Sequence, residues 1–547
     1  MRKLLQFTFV LFVLILSALS ANAQKVDRIK YKAEDLFEFR KNGEKIRRLI
    51  GNVVFAQKTT TMYCDSSYYY VEDNVMEAFG RVKIIDDSVT ITSDRLIYDG
   101  QTRTAQLRDN VIYTKADQRL TTNFLDYNMD TEIGNYYNGG KLKDSVNVLT
   151  SETGYYYGLQ KYALFWDDVV LVAPDYTLKS DTLRYNTRPK IAITEGKTTI
   201  ITEDESILHA KGGTFRTQID QSEFIDGTVE TTDYFMEGDE LFFDDLKKYY
   251  DAKGNVKLTS KEDDVVITGE KGYADKANGI SKVYGNALMR RFLERDTLYL
   301  AADTLVSIES DYDSAKRILA YHNVRIWKSN LQGLADSAAY FLQDSMLYFY
   351  QDPIFWNLKN QLEGDTIKMN VTEKEIKSMT LLQQAFLATE DTLKNYNQIK
   401  GRTMKALFVK SQINRIYVNG NGESIYYVLD EDDPYNIITL GMNRILCSDM
   451  TIRFKNEELD NISFYIKPEA RFIPPHELTE EVQKLQGFEW RGEQRPELKD
   501  LFTDFQREIK EEDENLPKLP PKEKINLEKR TKGEGELLKS LKEGGKR

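Results

Sequence analysis

Apolar and polar positions alternate with a period of two through most of this chain. Leu96 and Tyr98 fall on one side of a strand, whereas Arg95, directly before Leu96, falls on the other side. A period of two is typical of β-strands that have one apolar and one solvated face. The alternation therefore predicts an all-β structure from about residue 27 to residue 466.

The strand-like segments repeat at a fixed interval. A polar residue that precedes an alternating segment recurs every 29 residues, and a tyrosine follows four positions after each copy. A fixed period of this length predicts a repeat array, in which each unit buries its apolar face against its neighbours. The polar positions are Asp65, Asp94, Asn123, Glu152 and Asp181, and the tyrosines are Tyr69, Tyr98, Tyr127, Tyr156 and Tyr185.

A second short motif accompanies the repeat. It resembles Gly-Asn-Val and consists of residues that tolerate left-handed backbone conformations, so we interpret it as the turns between strands. We interpret the acidic residue that leads a copy of the 29-residue repeat as structural, because aspartate is favoured where turns end. The copies are Gly51-Asn52-Val53, Gly80-Arg81-Val82, Asp109-Asn110-Val111, Asp167-Asp168-Val169, Gly254-Asn255-Val256, Gly285-Asn286-Ala287 and His322-Asn323-Val324.

The amino terminus has the organisation of a secretory signal peptide. Arg2 and Lys3 precede an apolar stretch at residues 4–19, and Ala21-Asn22-Ala23 provides small residues for cleavage. A basic start, an apolar segment and a small-residue site in this order predict an exported protein that is cleaved after Ala23. The apolar stretch is shorter than the roughly 20 residues that a membrane-spanning helix needs.

The carboxyl-terminal part differs from the repeats in composition. From Pro474-Pro475 onward the chain is rich in Glu and Lys, which predicts a charged tail that is partly helical or disordered. Short helices are predicted at residues 477–486 and 496–510. The alternative is a docking segment, with Phe488, Trp490, Leu498, Leu501, Phe502 and Phe505 as its anchors. The predicted domains are the signal peptide (1–23), a first β-repeat domain (24–225), a second, more divergent β-repeat domain (226–466) and the tail (467–547).

Composition narrows the possible functions. The net charge of -12 argues against nucleic acid, whose binding requires neutralisation of phosphates. The three histidines are scattered, and two cysteines cannot form a structural zinc site alone. We therefore predict no catalytic residue, no metal site and no cofactor, and we expect a protein that is not an enzyme. Whether Cys64 and Cys447 form a disulfide stays open, because sequence does not supply its geometry.

The phased motifs resemble the OstA/LptA family of periplasmic lipopolysaccharide-transport proteins. The resemblance rests on Gly80-Arg81-Val82, the segment Ser93 to Tyr98 and the segment Ala105 to Val111. It implies a periplasmic, elongated β-jellyroll or β-taco with an apolar groove that binds the acyl chains of lipid A. It also implies a bridge-like role, in which the protein joins other transport proteins end to end by strand addition and meets the membrane only through partners.

By this resemblance and by strand parity we predict a set of groove-lining residues. The competing interpretation is that they are ordinary core residues, because pattern alone does not separate the two. Two other functions stay open: a structural or adhesive β-repeat protein of the envelope, and a polysaccharide-active enzyme with carboxylates brought together by the fold. The predicted lining residues are Val53, Phe55, Val82, Ile84, Leu96, Tyr98, Val111, Leu125, Tyr127, Leu183 and Tyr185.

Overall fold

A computed structural model describes residues 28–502, apart from 187, 233, 262–263, 294–295, 311, 373–374, 411, 431–436 and 456–457. Its 34 strands form one antiparallel sheet, which confirms the all-β prediction. The predicted signal peptide lies outside the described residues. The predicted domain boundary at residue 225 falls inside β17, which pairs with both of its neighbours.

The strands follow the chain in antiparallel order, with short connections between most of them. The first seventeen are β1 (Lys30–Lys32), β2 (Asp35–Lys41), β3 (Glu44–Gln57), β4 (Thr60–Tyr70), β5 (Val75–Asp86), β6 (Val89–Asp99), β7 (Thr104–Lys115), β8 (Gln118–Asn128), β9 (Ile133–Tyr136), β10 (Gly140–Lys143), β11 (Val148–Ser151), β12 (Thr153–Tyr157), β13 (Tyr162–Val172), β14 (Tyr176–Asn186), β15 (Ile191–Thr202), β16 (Ile207–Arg216) and β17 (Gln221–Glu230).

The second seventeen strands continue the same sheet beyond the predicted end at residue 466. They are β18 (Tyr234–Asp244), β19 (Tyr249–Ser260), β20 (Val265–Asp275), β21 (Ile280–Phe292), β22 (Thr297–Ile308), β23 (Arg317–Lys328), β24 (Leu331–Phe341), β25 (Met346–Tyr350), β26 (Ile354–Asn357), β27 (Asn360–Glu363), β28 (Thr366–Val371), β29 (Ile376–Glu390), β30 (Tyr396–Val409), β31 (Gln412–Asp430), β32 (Ile438–Lys455), β33 (Glu458–Tyr465) and β34 (Glu469–Ile473). Short 3-10 helices lie at Asp313–Ala315, Pro475–Glu477, Gly492–Gln494 and Leu498–Leu501.

The Gly-Asn-Val motifs lie inside strands, so their interpretation as turns was wrong. In β19, Gly254 and Asn255 have φ values of 68° and 50°, and the register with β20 shifts between Lys253 and Val256. Two successive left-handed residues that interrupt the ladder form a β-bulge, which bends the strand. The same shift occurs at the other six copies, in β3, β5, β7, β13, β21 and β23.

The acidic residue that leads a repeat caps the bulge of the next strand. Asn255 donates its side-chain amide to Asp239 at 2.9 and 2.8 Å, and Asn110 donates to Asp94 at 2.6 Å. The Asp239 carboxylate also covers Gly254 so closely that a Cβ there would collide with it. The structure thus agrees with a structural role for the repeated carboxylates.

Replacing Asn255 with alanine is expected to lower the free energy of unfolding by about 1–2 kcal/mol, because the variant loses a hydrogen bond to a carboxylate and alanine adopts the left-handed conformation less readily than asparagine. Asn255→Gly should lose less, since glycine tolerates positive φ. The urea midpoint of each variant would measure the difference. Equal midpoints for wild type and both variants would contradict this account of the bulge.

The bulges divide most strands into two halves, and the turns at their ends form two rims. We call them rim A and rim B. The turns of rim A follow β3, β5, β7, β10, β13, β15, β17, β19, β21 and β23, and those of rim B follow β4, β6, β8, β12, β14, β16, β18, β20, β22 and β24.

The two rims are joined by hydrogen bonds in the amino-terminal part. Gln57 on rim A donates to the Gly100 carbonyl on rim B at 2.8 Å and accepts from the Tyr98 hydroxyl at 2.6 Å. Arg103 on rim B donates to the Gln57 carbonyl at 3.1 Å and to the Thr60 hydroxyl at 3.0 Å. The two halves of the strands therefore enclose one interior, which is closed along the seam at this point.

The chain after the last strand packs on the outer face of the sheet. No helix forms at residues 477–486 beyond the 3-10 turn at Pro475–Glu477, so the helical prediction there was wrong. Residues 478–496, which we call the strap, instead cover an outer apolar surface. Of the predicted anchors, Phe488 and Trp490 pack on that surface together with Leu485.

A row of glutamines on the outer face holds the strap. Gln398 donates its amide to the Gln483 carbonyl and accepts from the Leu485 N–H, both at 2.8 Å. Gln361, which belongs to the same cross-strand row, binds the backbone of the strap at 2.7 and 2.9 Å. These side-chain amides take the place of the strand-to-strand backbone hydrogen bonds that an irregular segment cannot form. The strap is therefore an integral part of the fold.

The chain divides into two compact units after Pro496. In the second unit, Glu497 and Asp500 form a capping box around the 3-10 helix at Leu498–Leu501. Among the predicted anchors there, Leu501 and Phe502 are buried, and Phe505 lies outside the described residues.

Candidate binding interior

An apolar ladder crosses the inner face of the A half of the sheet from strand to strand. Each residue stands directly opposite the next in the register, so a continuous apolar surface lines the interior. From β1 to β23 it consists of Tyr31, Phe55, Met62, Ile84, Ile91, Tyr113, Leu120, Leu142, Leu149, Leu171, Leu178, Ile200, Leu208, Val229, Met236, Leu258, Ile267, Met289, Leu300 and Ile326.

A second ladder on the B half alternates large and small side chains. Tyr98 faces Ala105, Tyr127 faces Gly134, and Tyr185 faces Ala192. Each aromatic ring thereby occupies the space that its small neighbour leaves free, as close packing requires. The tyrosines of the 29-residue repeat are thus interior residues.

The predicted lining residues lie in the interior of the amino-terminal part, where they pack against one another. Ten of the eleven are no more than 2% exposed and belong to one core cluster, and Tyr185 is partly buried against that cluster. Phe55 and Ile84, for example, are fully buried. Contact of these residues with a ligand stays a prediction.

Burial keeps the interior phenols neutral. It raises the pKa of Tyr98, Tyr113 and Tyr127 above the usual range for tyrosine, and it raises the pKa of Tyr136 to about 12. Burial, followed by the charge of Asp245, also raises the pKa of Tyr250 to about 12. The interior is therefore free of phenolate charge at neutral pH.

The ladder is less deeply buried over four consecutive strands in the middle of the sheet. Four consecutive ladder residues, Met236, Leu258, Ile267 and Met289, are only half-buried. The ladder residues before and after this stretch are again buried, with Val229 at 8% and Leu300 at 5% exposure. We call these four residues the central opening, which spans roughly 14 Å at about 4.8 Å per strand.

Small side chains on the B half coincide with the central opening. Ala252 and Gly272 occupy register positions that are held by Leu96, Leu107 and Leu125 near the amino terminus. Neighbouring side chains fill these positions: Ala252 is 3% exposed, and a Cβ at Gly272 would meet Val256 Cγ1 at 3.3 Å. Only the register shows that the two small residues face each other across adjacent strands.

Between residues 176 and 331, hydrogen bonds and ion pairs join neighbouring strands and turns along each rim. Lys261 pairs with Glu230 on rim A at 2.9 Å, and Gln221 donates to Asp244 on rim B at 2.8 Å.

The described residues contain neither a disulfide nor a cluster of metal ligands. Cys64 and Cys447 are free thiols, and burial raises the pKa of Cys64 to about 12. No cluster of three or more potential metal ligands occurs among the described residues. None of the helices in that part of the chain is both long and apolar enough to cross a membrane.

Comparison with known proteins finds a family match in the amino-terminal part. Residues 26–181 match the family model described as OstA-like protein. A solved structure that is similar over part of the chain is LptH, described as the LptA homologous periplasmic component of the conserved lipopolysaccharide transport device from Pseudomonas aeruginosa. The similarity covers 20% of this chain and 81% of that chain, with 16% identity and a TM-score of 0.19. No curated protein matches the chain.

Proposed function

We propose, from the premise that residues 26–181 belong to the OstA-like family, that this protein binds the acyl chains of lipopolysaccharide or a similar glycolipid and carries them through the periplasm towards the outer membrane. The central opening is the observation that supports this proposal most directly. Half-exposed apolar side chains that line an interior are costly in water, and each hydrocarbon CH₂ that covers them contributes about 0.8 kcal/mol. Binding of this kind requires no catalytic group.

The proposal assigns different tasks to different parts of the ladder. The amino-terminal ladder residues Phe55, Met62, Ile84 and Ile91 form a packed support, because each is at most 1% exposed. The central opening accepts the hydrocarbon chain. Cleavage after Ala23 would deliver the protein to the periplasm.

The amino-terminal edge suits an end-to-end partner. Within the described chain, β2 pairs only with β3, and all seven of its residues are exposed. Leu36, Phe37 and Phe39 on this edge are 48%, 56% and 41% exposed. An open edge with apolar side chains can accept a strand from another transport protein, which would give a bridge-like assembly.

Replacing Leu258 with glutamate is expected to lower the amount of co-purified glycolipid roughly tenfold or more, because the carboxylate would have to be desolvated beside the hydrocarbon chain. Mass spectrometry of lipid extracted from the purified full chain measures the effect. Leu258→Trp, which fills the opening without adding charge, should also reduce the lipid.

Ile225→Glu is the matched control, because Ile225 is 61% exposed on the outer face of β17. It should retain wild-type lipid. A wild-type protein free of glycolipid, or equal lipid in all three variants, would contradict the proposal and favour a structural role in the envelope.

A further inference from the structure

The turns of rim B form one continuous edge. The Thr217 N–H donates to the Lys190 carbonyl at 3.2 Å, and the Lys276 N–H donates to the Lys248 carbonyl at 3.0 Å. Each of these bonds connects a turn to the next turn on the same rim. Side chains on successive turns therefore lie in one row beside the interior.

Apolar side chains project from this row into solvent. Leu159, Ile219 and Leu246 lie on three different turns and are 59%, 45% and 69% exposed. A single exposed leucine is ordinary, but a row of them on one edge marks an interaction surface. In the same part of the chain, the large exposed apolar residues of rim A are Val146 at 60%, in a turn, and Phe292 at 47%, at the end of β21.

The charges of the two rims are opposite. The described turn residues of rim B between 158 and 279 carry six basic and two acidic side chains, whereas the described turn residues of rim A between 144 and 296 carry one basic and seven acidic side chains. Arg188, Lys190 and Lys248 are exposed. The basic residues of rim B are Lys161, Arg188, Lys190, Lys247, Lys248 and Lys276.

We propose that rim B, from residue 158 to residue 279, docks on the face of a lipid bilayer that contains anionic lipid. Exposed leucine and isoleucine side chains can enter the boundary between headgroups and acyl chains, and neighbouring lysine and arginine side chains bind the negative headgroups. The acidic rim A is repelled by the same surface, so the charges also determine which rim faces the bilayer.

This surface goes beyond the proposed cargo and does not depend on it. It also differs from the expectation that the protein meets the membrane only through partners. A strongly acidic chain with one basic, apolar edge fits an oriented contact with a bilayer.

Co-sedimentation of the full chain with vesicles tests the proposal. We expect binding to vesicles of equal parts phosphatidylglycerol and phosphatidylcholine, much weaker binding to phosphatidylcholine alone, and loss of binding as salt is raised. Lys247→Gln/Lys248→Gln should weaken binding roughly tenfold or more. Leu246→Ser should weaken binding severalfold, because it removes an apolar tip.

Two matched controls distinguish the effect of rim B from a general effect of removing positive charge or an exposed apolar side chain. Lys179→Gln/Lys271→Gln removes two exposed lysines that lie within strands, and Val146→Ser removes the apolar tip of rim A. Both should bind as wild type does. No binding of the wild type to the anionic vesicles, or an equal loss of binding in the control variants, would overturn the proposal, whether or not glycolipid co-purifies.

Discussion

Replacing Phe55 with alanine is expected to lower the free energy of unfolding of the amino-terminal part by about 3–5 kcal/mol. Phe55 is fully buried, and its ring centroid lies 6.4 Å from that of Tyr31 and 6.3 Å from that of Tyr69. Truncation leaves a cavity that neighbouring strands can fill only partly. Urea denaturation followed by tyrosine fluorescence and circular dichroism would measure the loss.

The same experiment separates a packed core from a groove at the predicted lining residues. If Phe55 lined an open groove, its truncation would remove few contacts and would cost little. Ile97→Ala is the control, because Ile97 is 43% exposed on the outer face of β6 and should change stability by no more than roughly 0.5 kcal/mol. Equal effects of the two substitutions would show that the amino-terminal interior is not the support described above.

Replacing Gln398 with leucine is expected to release the strap. Gln398 is only 1% exposed, and its loss leaves the Leu485 N–H and the Gln483 carbonyl without their partners. An unsatisfied buried group costs about 1–3 kcal/mol, so opening of the strap should become roughly 30-fold more frequent. Amide hydrogen exchange of residues 483–490 would measure that change.

Gln218→Leu is the control for the strap, because Gln218 lies exposed in the turn after β16. Amide hydrogen exchange of residues 483–490 in this control variant should equal that in the wild type. Unchanged exchange in Gln398→Leu as well would mean that the apolar contacts of Phe488 and Trp490 hold the strap without the amides.

The parts of the fold that could be predicted are those in which apolar and polar residues recur at a regular interval. Alternation identified the strands and placed residues such as Tyr98 and Leu125 inside, because parity follows directly from strand geometry. The bulges were assigned wrongly, since glycine and asparagine with positive φ serve hairpin turns and bulges equally well. Whether such a pair forms a turn or a bulge depends on the neighbouring strand, where the Asp239 carboxylate accepts a hydrogen bond from the Asn255 amide.

The strap and the central opening had no local signal. Gln398 looks like an ordinary polar strand residue, and its bond to Gln483 spans a separation of 85 residues. The opening depends on the exposure of ladder residues such as Leu258 and Ile267, which lie in different strands. The predicted lining residues lie on the inner face of the closely packed segment, where the repeat is clearest, and their contact with a ligand stays a prediction.

From Tyr98 to Ala192, the pairing of each tyrosine with a small partner determines how the chain can change in length. Tyr127 faces Gly134 and Tyr185 faces Ala192. Strands with a large interior side chain at this position therefore alternate with strands that have a small one. Inserting one strand would set two rings against each other or leave a void, and it would also exchange the rims for everything downstream. Duplication or loss of a whole hairpin of about 29 residues avoids both faults, so the hairpin is the step by which a longer or shorter version can arise.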